Sequence, residues 1–335
     1  MAKFSHYLIP IIIISLFTIE SKKITNKQKK VINLAFSVTN KYISFLYISL
    51  VSLLENSHNN TVYNIVIQYG CDNLNSENKE LIINLEKIYF NCFINIIDMK
   101  YDFYTAIQGA LDISAYYRLK LPILFSKLNR IIHLDSDTLI LKDLMELYTL
   151  NFEGKYLLGR LDTLVDELDS LGIKTKTYIN SGVLLMDLYN LRKYNYTWKF
   201  MEYITHNNNA TYLVHHDQTL LNYICHDKIG LLKPKYHMWP FKSKLHILKI
   251  NKLFRIPYDK KECIKGFYDP FIVHYPGSGK IGIKVKGGKY HKLYYEYFKL
   301  AEEKKSGIKL TKYEKFKDYL KHIIQKIKYT YKGEE

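Results

Sequence analysis

The chain is predicted to be an α/β protein with a mostly parallel central sheet. Three short apolar runs, Val31 to Phe36, Tyr63 to Gln68 and Phe93 to Ile97, have the length and composition of buried strands. Two segments with apolar residues at helical spacing lie between them, Tyr42 to Leu54 and Glu77 to Ile88. Strands that alternate with helices are typical of a parallel sheet whose ligands bind beyond the carboxyl ends of the strands.

Further elements extend this pattern along the chain. Apolar runs predict strands at Arg130 to Leu134, Val183 to Asp187 and Phe271 to His274. Ser114 begins another helical run, and Ser76 is expected to cap the helix that follows the second strand. Chemistry-bearing residues are therefore sought directly after the strands.

Three parts are predicted along the chain. Residues 31–290 contain no internal repeat or low-complexity linker and are predicted to form one domain. Residues 1–30 comprise the apolar run Tyr7 to Ile19 and a basic linker. The apolar run is shorter than the ~20 residues that cross a bilayer, and it is predicted to be a signal peptide, a membrane anchor or part of the core. Residues 291–335 form a basic tail, whose amphipathic helix (Thr311 to Tyr331) packs on the core or lies on an anionic membrane.

Composition limits the class of protein. The 335 residues are 47% hydrophobic, which fits a globular protein, and the net charge of +17 favours an anionic partner. Nucleic acid is not the predicted partner, because no basic, aromatic-rich binding module accompanies the 31 tyrosines. The four cysteines are scattered without a C-x-x-C pair and are expected to be free thiols in a reducing compartment.

The first candidate site follows the strand that ends at Leu134. Asp135 and Asp137 are separated by one residue, so along an extended backbone both carboxylates can point the same way and reach one hard cation, such as Mg²⁺ or Mn²⁺. An Asp-x-Asp triplet alone is common in a chain this long, and its position after a strand strengthens the prediction. A metal-dependent phosphoesterase would use the same pair and stays an alternative.

The second candidate lies at the end of the strand before Tyr275. The imidazole of His274 could complete the metal site, and Lys280 in the following loop could neutralise diphosphate charge. The loop also spells G-x-G-x-x-G with Gly277, Gly279 and Gly282. A dinucleotide site is nevertheless excluded, because no helix follows to receive a pyrophosphate.

Two further groups of polar residues occupy positions where a ligand could bind. Asn180 and Ser181 precede Gly182 and a strand, where their amide and hydroxyl could contact sugar hydroxyls. Asp217 and Gln218 enter a helix. Taken singly, the first group is a turn signal and the second a helix cap.

Together and in this order, five motifs make the chain resemble glycosyltransferase family 8, which includes glycogenin and bacterial lipopolysaccharide glycosyltransferases. The motifs are Ser114-Ala115-Tyr116-Tyr117-Arg118-Leu119, His133-Leu134-Asp135-Ser136-Asp137, Asn180-Ser181-Gly182-Val183-Leu184-Leu185, His216-Asp217-Gln218, and His274-Tyr275-Pro276-Gly277 with Lys280. The resemblance spans roughly residues 31–280. It implies a GT-A fold, a Rossmann-like nucleotide-sugar-binding domain, with a UDP-sugar donor and transfer that retains anomeric configuration.

The resemblance also implies roles for individual residues. Asp135, Asp137 and His274 would hold Mn²⁺, or Mg²⁺, against the diphosphate. The donor-binding residues would be Ser37, Thr39 and Tyr42 near the nucleotide base and Gly277 near the phosphates. Arg118 and Lys280 would neutralise phosphate or orient the sugar, and the sugar pocket would be lined by Asp162, Asn180, Asp217 and Gln218. The catalytic residues would be Asp217 and Gln218, by a covalent route or by front-face attack of the acceptor. The first family motif normally includes an acidic residue, whereas this chain has Thr39 and Asn40 there.

The predicted function is therefore a retaining, metal-dependent hexosyltransferase that uses UDP-glucose or UDP-galactose. The expected acceptor is a cell-surface glycan or lipid-linked saccharide, as in lipopolysaccharide biosynthesis. A cytoplasmic location at the periphery of an anionic membrane is expected, with a secretory-pathway location left open. A nucleic-acid-binding basic protein and a catalytically inactive family member are the remaining alternatives.

Overall fold

A computed structural model describes residues 29–70, 74–100, 113–164, 168–169, 171–175, 177–206, 215–241, 243–253, 257–276 and 289–306. The predicted apolar N-terminal run, the amphipathic tail helix, Gly277 and Lys280 lie outside the described residues.

The strands of the described residues form two sheets. They are β1 (Lys30–Ser37), β2 (Thr61–Tyr69), β3 (Cys92–Asp98), β4 (Arg130–Leu134), β5 (Thr138–Ile140), β6 (Leu157–Gly159), β7 (Val183–Asp187), β8 (Ile229–Leu231) and β9 (Ile272–His274). Seven of them form a central sheet in the order β3-β2-β1-β4-β7-β6-β8. The pairings of β7 with β4 and β6 are antiparallel and the other pairings are parallel, which confirms the predicted mostly parallel sheet.

Helices pack around this sheet. They are α1 (Ile43–Glu55), α2 (Ser76–Ile83), α3 (Leu85–Ile88), α4 (Leu121–Leu124), α5 (Met145–Tyr148), α6 (Leu188–Lys193), α7 (Tyr196–His206), α8 (His216–Ile224), α9 (Lys244–Leu253), α10 (Lys260–Tyr268) and α11 (Lys289–Ser306). The strand β2 is buried along its whole length, as expected for a strand covered on both faces.

The helical segment after β2 differs in detail from the prediction. Asn75, not Ser76, caps α2, because the Oδ1 of Asn75 accepts a hydrogen bond from the backbone N–H of Asn78 at 2.8 Å. The predicted single helix is also divided at Asn84 into α2 and α3. The apolar spacing located the helical segment, but it did not locate the break.

The second sheet contains two strands and lies beside the end of β4. The strand β9 confirms the strand predicted to end at His274, and it pairs antiparallel with β5 outside the central sheet. This pairing places His274 opposite Thr138, directly after Asp137.

The last described helix, α11, crosses residue 290 and packs against α1, with Tyr290, Tyr294 and Ala301 buried. The division of the chain at residue 290 stays a prediction. Within the described ranges, no helix combines the length and the apolar character that crossing a membrane requires.

Candidate active site

Backbone pairing brings three distant segments of the chain to one edge of the sheet. The N–H of Asp135, which follows β4, donates to the carbonyl of Gly182 at 2.9 Å. The N–H of Tyr275, which follows β9, donates to the carbonyl of Asp137 at 2.9 Å. The segment Asp135-Ser136-Asp137, called the acidic triplet below, therefore lies where the ends of β4 and β9 meet the start of β7.

The side chains of Asp135, Asp137 and His274 form a compact group. One potential ligand atom from each lies within 4.8 Å of the others. The Nε2 of His274 is 3.1 Å from Oδ1 of Asp137 and 3.7 Å from Oδ2 of Asp135. Burial alone would lower the pKa of His274, but the two carboxylates raise it above its ordinary value. Two carboxylate oxygens and one imidazole nitrogen form a donor set that fits a divalent cation.

Arg118 holds one side of this group in place. Its Nη2 donates to Oδ1 of Asp135 at 2.8 Å, and its Nη1 donates to the carbonyl of Ser181 at 2.6 Å. The guanidinium is only 4% exposed. Burial would raise the pKa of Asp135, but Arg118 and His274 lower it below its ordinary value. Asp135 is thus held ionised and oriented before any ligand binds.

Asp217 lies on the other side of the same arginine. Its Oδ2 is 3.3 Å from Nε of Arg118, and the residue is 7% exposed. Burial raises the pKa of Asp217 to about 6, although Arg118 opposes the shift. Arg118 therefore contacts two carboxylates with opposite pKa shifts, since the pKa of Asp135 is lowered and that of Asp217 is raised.

This raised pKa predicts a pH dependence of stability that replacement of Asp217 should remove. In the unfolded chain the carboxyl releases its proton near pH 3.9, whereas in the folded chain it keeps the proton up to about pH 6. The free energy of unfolding should therefore fall as the pH rises through this window, by on the order of 3 kcal/mol relative to Asp217→Asn. Urea denaturation of both proteins from pH 4 to pH 7 measures the difference. A difference that stays constant or rises with pH would contradict the prediction.

A hydrogen-bonded network beside Arg118 joins the remaining predicted sugar-pocket residues. Oδ2 of Asp162 accepts from Nδ2 of Asn180 at 2.9 Å and from Nε2 of Gln218 at 3.2 Å. The Oε1 of Gln218 accepts from the backbone N–H of Ser181 at 3.0 Å. Both ends of the Gln218 amide are therefore fixed, and Asp162, Asn180 and Gln218 form one hydrogen-bonded cluster.

The residues predicted near the nucleotide base lie at the end of β1 and directly after it. The Oγ of Ser37 is 3.2 Å from Oε1 of Gln68 and 3.3 Å from Nε2 of His133. Because Phe36 pairs with Leu134, the end of β1 lies directly beside the end of β4. Thr39 precedes a short 3₁₀ helix, and Tyr42 packs on Phe45 with ring centroids 6.0 Å apart. Thr39 and Tyr42 thus lie just beyond the strand edge that carries the acidic triplet.

Two buried residues near this site were not predicted from the sequence. The Nε2 of His237 lies 2.9 Å from Nδ1 of His274. Arg160 is fully buried and donates from Nη1 to the carbonyl of His237 at 3.3 Å. Its Cζ lies 4.2 Å from the centroid of the Trp239 ring. Neither residue belongs to a motif, and only the folded chain brings His237 to His274.

The largely parallel sheet in this strand order, with Asp135 and Asp137 directly after β4, is a GT-A fold. The sequence model of the family described as Glycosyl transferase family 8 matches residues 33–281 of the chain. The chain belongs to glycosyltransferase family 8.

Individual relatives support this assignment. A Haemophilus influenzae protein provisionally described as a glycosyltransferase is 26% identical over 257 residues, which cover 74% of this chain and 72% of that protein. The lipopolysaccharide 1,2-glucosyltransferase of Escherichia coli is 24% identical over 278 residues, 78% of this chain and 76% of that enzyme. The galactosyltransferase LgtC, solved with donor and acceptor sugar analogues, superposes with a TM-score of 0.66 at 18% identity, covering 80% of this chain and 95% of LgtC. At that identity the likeness concerns the fold.

Proposed function

We propose that this glycosyltransferase transfers glucose or galactose from a UDP-sugar to a saccharide acceptor, with retention of anomeric configuration, and that it requires Mn²⁺ or Mg²⁺. The observation that carries the proposal is the group formed by Asp135, Asp137 and His274 beside the polar network of Asp162. These three side chains would hold the cation. A bound divalent cation would supply positive charge to a departing diphosphate.

The protein's own charges fit the binding of a nucleotide diphosphate. Arg118 donates to Asp135 and to the carbonyl of Ser181 and would thereby hold Asp135 in place for the cation. We assign Ser37, Thr39 and Tyr42 to the nucleotide, on the basis of their position at the end of β1 and directly after it. The family resemblance assigns Gly277 and Lys280 to the phosphates.

The polar network fits the recognition of a hexose. Asp162 offers carboxylate oxygens and Asn180 an amide on one surface, and sugar hydroxyls both donate to and accept from such groups. Asp217 and Gln218 are the proposed catalytic residues. Of the two, only Asp217 has a carboxylate that could act as a nucleophile, while front-face attack would need Gln218 only to orient the sugar.

The proposed acceptor is a cell-surface glycan or a lipid-linked saccharide. The relative from E. coli acts on lipopolysaccharide by its name, and the net charge of +17 suits work near an anionic membrane on the cytoplasmic side. Nucleic acid is not a proposed partner.

Thermal unfolding with nucleotides tests the donor and the metal together. We expect UDP, UDP-glucose and UDP-galactose to raise the melting temperature by about 5 °C or more at saturating concentration, and only when Mn²⁺ or Mg²⁺ is present. GDP is the matched control and should have little effect, and release of UDP from the stabilising UDP-sugar should depend on an acceptor saccharide.

Three results would contradict the proposal. Equal stabilisation by UDP and GDP would contradict the proposal that the donor nucleotide is a uridine nucleotide. Stabilisation without metal would contradict the proposal that a cation takes part in binding. Metal-dependent hydrolysis of simple phosphoesters without sugar transfer would favour a phosphoesterase instead.

A further inference from the structure

His274 has a second contact that the proposed cation site does not use. Its Nε2 faces the two carboxylates, whereas its Nδ1 lies 2.9 Å from Nε2 of His237. His237 is fully buried and His274 is 2% exposed. The two imidazoles are 5.0 Å apart between centroids and tilted by 44°, an arrangement that permits a hydrogen bond between ring nitrogens.

This contact decides which nitrogen of His274 carries the proton. A neutral imidazole has one N–H and one lone pair, and a metal ligand must present its lone pair. For Nε2 of His274 to bind a cation, the proton must therefore lie on Nδ1. That N–H can donate to His237 only if Nε2 of His237 is an acceptor, which places the proton of His237 on its Nδ1.

The opposite arrangement of protons would prevent neutral His274 from binding a cation. If His237 donated from Nε2, a neutral His274 would carry its proton on Nε2, directed at Oδ1 of Asp137 3.1 Å away. The lone pair needed for a cation would then face His237. The two arrangements exclude each other, so the direction of this one hydrogen bond determines whether neutral His274 can be a ligand.

The backbone fixes the two rings relative to each other. The N–H of His274 donates to the carbonyl of Met238 at 2.8 Å, and the N–H of Met238 donates to the carbonyl of Ile272 at 2.8 Å. The carbonyl of His237 accepts from the buried guanidinium of Arg160. Because these bonds hold both segments, the distance between the rings is set by the fold before a cation binds.

We propose that His237 is a positioning residue that accepts the Nδ1–H hydrogen bond of His274 and thereby keeps the Nε2 lone pair of His274 directed at the cation. The proposal rests on the proposed function, because it assumes that a cation binds between His274 and the two aspartates. It adds a buried residue outside the family motifs to the construction of that site.

Two variants of His237 separate this role from simple packing. Leucine at this position fills space but accepts no hydrogen bond, whereas the Oε1 of glutamine can accept one. We expect His237→Leu to weaken Mn²⁺ binding about 10–100-fold, as measured by electron paramagnetic resonance of free Mn²⁺, and His237→Gln to restore most of the affinity. Thermal unfolding of each variant without metal checks that it is folded.

A measurement on the unmodified protein covers the case in which His237→Leu does not fold. Imidazole ¹⁵N shifts in the presence of Mg²⁺ and UDP should show a protonated Nδ1 on His274 and an unprotonated Nε2 on His237. A protonated Nε2 on His237 would overturn the proposal, as would a folded His237→Leu protein that binds Mn²⁺ as tightly as the wild type. A wild-type protein that binds neither Mn²⁺ nor Mg²⁺ would instead refute the proposed function.

Discussion

Asp137→Ala is expected to abolish metal-dependent binding of UDP and to lower sugar transfer by about 10³-fold or more. The substitution removes one of the three proposed ligand side chains, and Oδ1 of Asp137 is the carboxylate oxygen nearest to Nε2 of His274 in the group. Asp137 is 22% exposed, so its loss should cost little packing. Titration of Mn²⁺ and release of UDP from UDP-glucose or UDP-galactose measure the effect.

Asp269→Ala is the matched control for this loss of a carboxylate. Asp269 is exposed and pairs with Lys142 at 2.5 Å, but it lies after α10, away from the acidic triplet. Surface pairs of this kind contribute ~1 kcal/mol or less to stability. We expect Asp269→Ala to bind Mn²⁺ and UDP like the wild type. A folded Asp137→Ala protein with normal Mn²⁺ affinity would contradict the assignment of the ligands.

Gly182→Ala should damage the same site through sterics. A Cβ at this position would lie 2.1 Å from Cε1 of His274, far inside van der Waals contact, so the buried imidazole would have to move. We expect a loss of about 1–3 kcal/mol in the free energy of unfolding and a loss of Mn²⁺ affinity of about 10–100-fold or more. Urea denaturation and Mn²⁺ titration measure the two effects.

Gly230→Ala provides the comparison. Its Cβ would lie 2.6 Å from Cδ2 of Leu158, the end of a flexible side chain in β6. This variant should lose some stability and keep its Mn²⁺ affinity, because no proposed ligand is displaced. If Gly182→Ala lost stability but not affinity, the contact with His274 would have no bearing on cation binding.

Apolar runs predicted the longer strands, and the structure confirms them. It also confirms that the acidic triplet directly follows a strand, because β4 ends at Leu134. The three-residue strands β5, β6 and β8 were not predicted, because a run this short shows no periodicity, whereas the equally short β9 was predicted from the apolar run that ends at His274. Gly182 was predicted as part of a turn signal, whereas its small size is what admits the ring of His274. That requirement depends on a strand from a distant part of the chain and is invisible in local sequence.

The candidate site could be predicted only in part, because its contacts also join distant parts of the chain. The structure brings Asp135, Asp137 and His274 together, but their proximity depends on the pairing of β5 with β9, which no spacing rule gives. The partners of Arg118 likewise come from four separate segments of the chain. His237 and Arg160 were missed because a buried polar residue in a sequence is indistinguishable from an exposed one.

The small sheet of β5 and β9 also has a consequence for the order of folding. Thr138 and His274 are far apart along the chain, so closing this loop carries a large entropic cost and long-range pairings of this kind form late. An intermediate that has only the N-terminal strands would present two aspartates without the imidazole. A cation bound at the proposed site would therefore require that β9 has paired with β5. Such a cation would stabilise the folded protein relative to an intermediate that lacks β9.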